Sequence, residues 1–461
     1  MRIEPPTSSR LFFTAPWEPI VVRRGDPLGL RDIANRYADA IAPQMSNGTS
    51  DARWVTILAW CLVRSDEVFR AIGERYVETR AQQNARYAWL RPLELMWVAR
   101  TIALTSDWSE RALPGQRRVG PWVSANGKKP ERFGMSYDQY ARYRQSGVYG
   151  RYRVGLRKWP GMTTDGDGWT PAEACTELAE WLDNRLGHAR PSFSLAGDEA
   201  SGSVAKRMRN APDRWWLTEW PSWSQRGRGA DSNTLPRPRV ESSMLPEARL
   251  LRPILFGDDS CGQRRTQMAR VAAKRSSASH WQICKELSTS FGGDPALSGL
   301  PQFLRLADAG MELMDQVALV LKGNPFVPLR DAIRAPEMTE YIKQLVDAAS
   351  AFKADAALEG LSSSAATRFA DAIPARGTGD VLRALLQYHE VHGGGNRWFV
   401  LRGEKIEVRV PSSRGSSRYG FRLRQLCRIA EQCGVIASLP NSLRFEPRLA
   451  TPDDEGAGAD D

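Results

Sequence analysis

The chain is predicted to be mainly α-helical and multidomain, with small β-hairpins and one or two winged-helix-like modules. Three observations predict this. Apolar residues recur at helical spacing in several separate segments. Strand-like alternation is confined to short stretches beside Gly-rich turns. With 461 residues, 42% of them hydrophobic and 25% charged, the chain has ordinary globular composition and length for about two to four domains.

The first helix with a clear stripe lies in "NGTSDARWVTILAWCLVRSDEVFRAIG". Thr49, Ser50 and Asp51 are candidate caps, because their side-chain oxygens can accept free backbone N–H groups. Trp54, Ile57, Leu58, Cys61 and Leu62 then mark a buried face. A second helical stretch, "RPLELMWVARTIAL", completes a helical N-terminal domain over 1–120.

Residues 121–190 form the first expected winged-helix-like module. "YDQYARYRQSGVYGRYR", Tyr137 to Arg153, holds five tyrosines, four arginines and one acid. Tyr137, Tyr140 and Tyr143 share a helical stripe, Ser146 and Gly147 break it, and a second helix runs from Tyr149 to Lys158. "DGDG" marks a turn between two short strands. Pro171 then suits the first turn of a helix that buries Cys175, Leu178, Ala179 and Leu182. The tyrosines are expected in the core and rim, and the arginines toward a partner.

Residues 191–245 read as a basic linker or arm with a tryptophan cluster, Trp215, Trp216, Trp220 and Trp223. From 246 to 370 the stripe from Phe303 to Leu321 and a second from Tyr341 to Phe352 predict a helical scaffold domain. Residues 371–447 form the second expected winged-helix-like module. "NRWFVLRGEKIEVRV" alternates as a hairpin, and a helix carrying Phe421, Leu426 and Ile429 is expected to pack on its Trp398, Ile406 and Val408. Arg418, Arg422, Arg424 and Arg428 are placed on the outward face. Residues 448–461 are acidic and expected to be disordered.

Charge points to a class of partner. The net charge is +11, yet windows 121–160 and 391–430 each carry nine Lys/Arg against two Asp/Glu, so the remaining chain sums to −3. Two local basic patches fit polyanion binding better than diffuse basicity does. The expected nucleic-acid contacts are Arg142, Arg144, Arg151, Arg153, Arg157 and Lys158 in the first patch, and Arg414, Arg418, Arg422 and Arg424 in the second. They would contact phosphates and position DNA. RNA is the alternative, because tyrosines can stack bases.

The sequence carries few marks of chemistry. There is no G-x-x-x-x-G-K-[ST] loop, no G-x-G-x-x-G after a strand and no G-x-S-x-G elbow. His389, His392, Cys427 and Cys433 have zinc-binding atoms at unusual spacing. Glu404 and Lys405, with the distant Asp258 and Asp259, have the residue types of a metal-dependent nuclease. Solvated hairpin charges explain the same residues, so no catalytic residue, metal or cofactor is expected. The six cysteines are scattered, without a C-x-x-C pair, and no apolar run reaches about 18 residues. "MRIEPPTSSRLFF" lacks the pattern of a signal peptide. A cytoplasmic protein that does not engage a membrane is expected.

"GTSDARWVTILAW", "YRQSGVYGRYRVGLRKW" and "GWTPAEACTELAEWL" together resemble uncharacterised bacterial proteins encoded in phage-defence islands. The likeness lies in Ser50 to Arg53, Tyr149 to Arg153, and Thr170 with Pro171, and it covers mostly the first 190 residues. It implies an accessory role in antiviral defence, acting on or sensing foreign DNA beside other defence proteins, and it carries over no catalytic residue. The expected function is thus a non-catalytic DNA-binding component of a defence or DNA-processing complex. The alternatives are a nuclease subunit, and a scaffold whose basic faces meet an acidic protein.

Overall fold

The computed structural model describes residues 26–71, 90, 93–95, 97–98, 101–102, 114–115, 119–121, 147–164, 168–186, 246–321, 324–353, 365–393, 398–408 and 419–444. Described residues are mainly helical, with one three-stranded sheet. In chain order the elements are α1 (Arg31–Ile41), α2 (Arg53–Ala71), α3 (Val148–Leu156), α4 (Glu173–Leu186), α5 (Pro246–Phe256), α6 (Ser260–Ala272) and α7 (His280–Ser290). There follow α8 (Leu300–Leu321), β1 (Phe326–Pro328), α9 (Leu329–Arg334), α10 (Met338–Lys353), α11 (Ala365–Ala372) and α12 (Thr378–His392). The last are β2 (Phe399–Arg402), β3 (Lys405–Val408), α13 (Leu423–Gln432) and α14 (Asn441–Arg444). No helix among the described residues is long and apolar enough to cross a membrane.

The chain divides into two compact units, each made of discontinuous segments. One comprises 1–34, 298–419 and 446–461; the other comprises 35–297 and 420–445.

In the first unit the predicted stripe of α8 is buried from Phe303 through Leu306, Ala307, Met311, Met314 and Val317, and α8 packs on α10. Gly310 leaves room for two other side chains: a Cβ there would stand 2.8 Å from Leu28 Cδ1 and from Phe369 Cζ. Leu28 thereby brings the N-terminal segment into this core. His389 fixes the same segment, because its Nδ1 lies 2.7 Å from the Pro27 carbonyl while its Nε2 accepts the Trp398 N–H at 2.8 Å. Two bonds of opposite sense place the ring proton on Nδ1. The predicted hairpin is present as β2 and β3, turning at Gly403 with φ +57. A third strand not expected from the sequence, β1, pairs antiparallel with β3, Val327 opposite Ile406.

The second unit is built on α2, whose residues Trp54, Leu58, Trp60, Cys61 and Leu62 are buried. Its main neighbour is α4, and α3 also packs on it. Helices from the expected 1–120 and 121–190 domains therefore share one core. The expected β-pairing around "DGDG" is a single bridge between Thr163 and Pro171. The start of α2 is secured from far along the chain, since the Ala52 N–H donates to Gln432 Oε1 of α13 at 2.8 Å. Helices α5, α6 and α7 pack in sequence, and α13 lies against α6.

The hairpin and α13, expected to form one C-terminal module, belong to different units. Phe421, just before α13, and Leu426 and Ile429 within it are buried, as their spacing predicts, but α13 packs on α6, and Phe421 lies between Tyr37 and His280. A long apolar stripe specifies that a helix is buried; it does not specify against what.

Candidate nucleic-acid interface

Helix α3 sorts the residues of the tyrosine–arginine stretch into two faces. Tyr149 stacks on Trp169 with centroids 4.6 Å apart and donates its hydroxyl to the Gly168 carbonyl at 3.1 Å. The Tyr152 hydroxyl donates to the Asp51 carbonyl at 2.8 Å and accepts the N–H groups of Ser50 and Asp51. Burial, followed by the nearby Asp51 charge, pushes that hydroxyl well above the usual tyrosine range. Both hydroxyls are therefore committed to holding the fold and are not available to phosphates.

Arg151 of α3 and Lys158 just past its end are exposed, while Arg153 and the C-cap Arg157 are half-buried. The stem of Arg151 lies on Gly48, where a Cβ would come within 2.5 Å of its Cδ. Arg157 is held similarly beneath Gly168. Packed stems limit how far the heads wander, which reduces the ordering cost of a contact. Helix α3 contains no acid. Arg142 and Arg144 lie outside the described residues, as do Tyr137, Tyr140, Tyr143 and the tryptophan cluster.

The second expected patch is different. Arg414 and Arg418 lie outside the described residues. Arg422 does not face outward: its Nη1 pairs with Asp39, its Nε donates to Asn47 Oδ1 at 3.4 Å, and its side chain is only 11% exposed. Arg428 pairs with Asp51 at 2.8 Å, and Arg424 donates to the Arg444 carbonyl at 3.2 Å. The acids that meet Arg422 and Arg428 lie 383 and 377 positions away in sequence, so no local pattern reveals them. Asp39 is itself mostly exposed, so Arg422→Ala is expected to lower stability by less than about 1 kcal/mol, read from chemical denaturation.

The candidate chemical groups are not brought together. His389 and His392 belong to the first unit and Cys427 and Cys433 to the second. Both His389 nitrogens are engaged as described, and burial pushes the Cys427 thiol up to about 12. Glu404 pairs with Arg383 at 2.7 Å, and the Lys405 ammonium sits 5.0 Å above the Phe326 ring. Asp258 and Asp259 belong to the other unit, where Asp259 caps α6 by accepting the Cys261 and Gly262 N–H groups. Among the described residues no group of three or more His, Cys, Asp or Glu could hold a metal ion. No protein-family model, curated protein or solved structure matches the chain.

One basic surface escaped the sequence reading. Helix α6 exposes Ser260, Gln263, Gln267 and Arg270, followed by exposed Lys274 and Arg275. Arg249 and Arg252 are exposed on α5, and Lys285 on α7. The signal was available: residues 260–285 contain six Lys/Arg and no Asp or Glu. Asp258 and Asp259 just upstream and Glu286 just downstream dilute it in any wider window.

Proposed function

We propose that this chain is a non-catalytic DNA-binding component of a bacterial antiviral defence or DNA-processing complex. The observation that carries the reading is the exposure of Arg151 on the acid-free helix α3 and of Lys158 just past its end, inside a stretch of strongly positive charge. Phosphate oxygens are the natural partners of such a face, and the contacts would position a duplex without reading its sequence. The order helix, bridged loop, helix over α3, Thr163–Pro171 and α4 supports a winged-helix-like binding unit. The defence context rests on the likeness of three short motifs.

The test is salt-dependent binding to duplex DNA. The double variant Arg151→Ala/Lys158→Ala is expected to weaken binding and to flatten the slope of log affinity against log salt by about two units. The variant should still fold, because exposed charges contribute little to stability and only the packed stem of Arg151 is lost. A folded variant with unchanged affinity and slope would remove α3 from the interface.

A further inference from the structure

We propose that the exposed face of α6 is a second and sequence-reading DNA surface, with Gln263 and Gln267 on base edges of the major groove and Arg270, Lys274 and Arg275 on the flanking phosphates. It rests on the DNA-binding reading above, but uses a different face.

The side chains on this face have chemistry suited to bases. Gln263, Gln267 and Arg270 follow one another at i, i+4 and i+7, which places them on one side of α6, and the exposed Lys274 and Arg275 come just after the helix ends. The opposite side, Gly262, Arg265, Met268, Ala269 and Ala272, is buried. A glutamine amide carries a donor and an acceptor and can pair with the adenine edge; arginine forks onto guanine or phosphate. The helix itself has no acid, and of the nearest acids Asp294 pairs with Arg264 and Glu286 with Lys274. Lys274 can exchange that exposed pairing for a phosphate at little cost.

The support behind the face is rigid. The three residues 257–259 join α5 to α6. Arg265 reaches back from α6 to the Leu255 carbonyl at 2.6 Å, and the Thr266 hydroxyl points to that of Phe256 at 3.4 Å. Arg264 braces the same helix by donating to the Ala40 carbonyl at 3.0 Å. A 13-residue helix is about 20 Å long and fits a groove about 12 Å wide. Two antiparallel or crossed helices joined by a short turn, the second presenting its outer face, is the geometry by which a helix is seated in that groove.

The experiment selects duplexes from a randomised pool with the full chain, then measures affinity for the preferred duplex and for a scrambled one. Gln263→Ala/Gln267→Ala is expected to lose about tenfold or more on the preferred duplex and little on the scrambled one. Arg270→Ala/Arg275→Ala is expected to lose affinity on both, with a salt slope shallower by about two units. All four side chains are exposed, so thermal melts should coincide with the parent. A pool yielding no preferred sequence, or glutamine variants that bind both duplexes like the parent, overturns the proposal. If the parent binds no duplex at any salt, the broader DNA-binding reading fails as well. If it binds and responds only to Arg151 and Lys158, that reading stands and this one falls.

Discussion

Glu247→Ala is expected to destabilise the second unit by about 3–5 kcal/mol. Glu247 of α5 is completely buried and its carboxylate lies 2.5 Å from the Arg53 guanidinium of α2, itself 5% exposed. Burial pushes the Glu247 carboxyl up, and the adjacent Arg53 pulls it back toward the ionised form. Arg53 also lies over Trp181 of α4, 5.6 Å from the ring centroid, so the pair joins three helices. Removing the carboxylate leaves a nearly buried guanidinium without this counter-charge. Replacing both partners, as Arg53→Met/Glu247→Leu, should cost much less, because the desolvation penalty disappears with the charges. Urea denaturation of the single and double variants measures the difference. A double variant no more stable than Glu247→Ala would show that packing, not charge compensation, governs the site.

Arg265→Ala is the second large effect, at about 3 kcal/mol or more. This guanidinium is fully buried, and burial lowers its pKa from the ordinary value to about 10. It donates to three acceptors: the Leu255 carbonyl at 2.6 Å, the Pro43 carbonyl at 3.0 Å and Gln44 Oε1 at 3.0 Å. Each acceptor left without a donor costs about 1–3 kcal/mol. Two of them lie in the segment between α1 and α2, and one ends α5, so the turn into α6 should loosen with the loss. Arg265→Lys keeps the charge and loses the planar fork, and is expected to fall between parent and alanine variant. Denaturant midpoints and amide exchange across 246–272 report both consequences. If Arg265→Ala unfolds at the parent's denaturant concentration, water has replaced the lost donors.

Some of this was legible in sequence and some was not, for physical reasons. Helices such as α2 and α8 announce themselves, because a buried stripe must repeat every three to four residues wherever it packs. Strands β2 and β3 were readable from alternation around Gly403, whereas the three residues of β1 are too few to alternate. The exposure of Arg151 was readable because Tyr149 and Tyr152 define the inside of the same short helix, and Lys158 is exposed in the turn just past its end. Arg422 and Arg428 were misplaced because their partners, Asp39 and Asp51, are brought near only by the fold. The α6 face was overlooked because the flanking acids cancel its charge in a count, although one of them is a helix cap and another is paired.

The ring of His389 sets a timetable for synthesis. It holds the carbonyl of Pro27, 362 positions earlier, and the N–H of Trp398. Residues 26–34 belong to the same compact unit as 298–419, so their docking site does not exist while the intervening chain is still being made. At translation rates of about 5–20 residues per second, Pro27 and Leu28 are synthesised roughly 20–70 s before His389 is added. Leu28, wholly enclosed in the finished protein, spends that interval without its partners. The second unit can gather α2 through α7 during the same period, but Gln432, which receives the Ala52 N–H at the start of α2, is added 380 residues after it. A nascent chain stalled before residue 398 should therefore lack the Trp398 bond to His389 and the Gln432 bond to the start of α2.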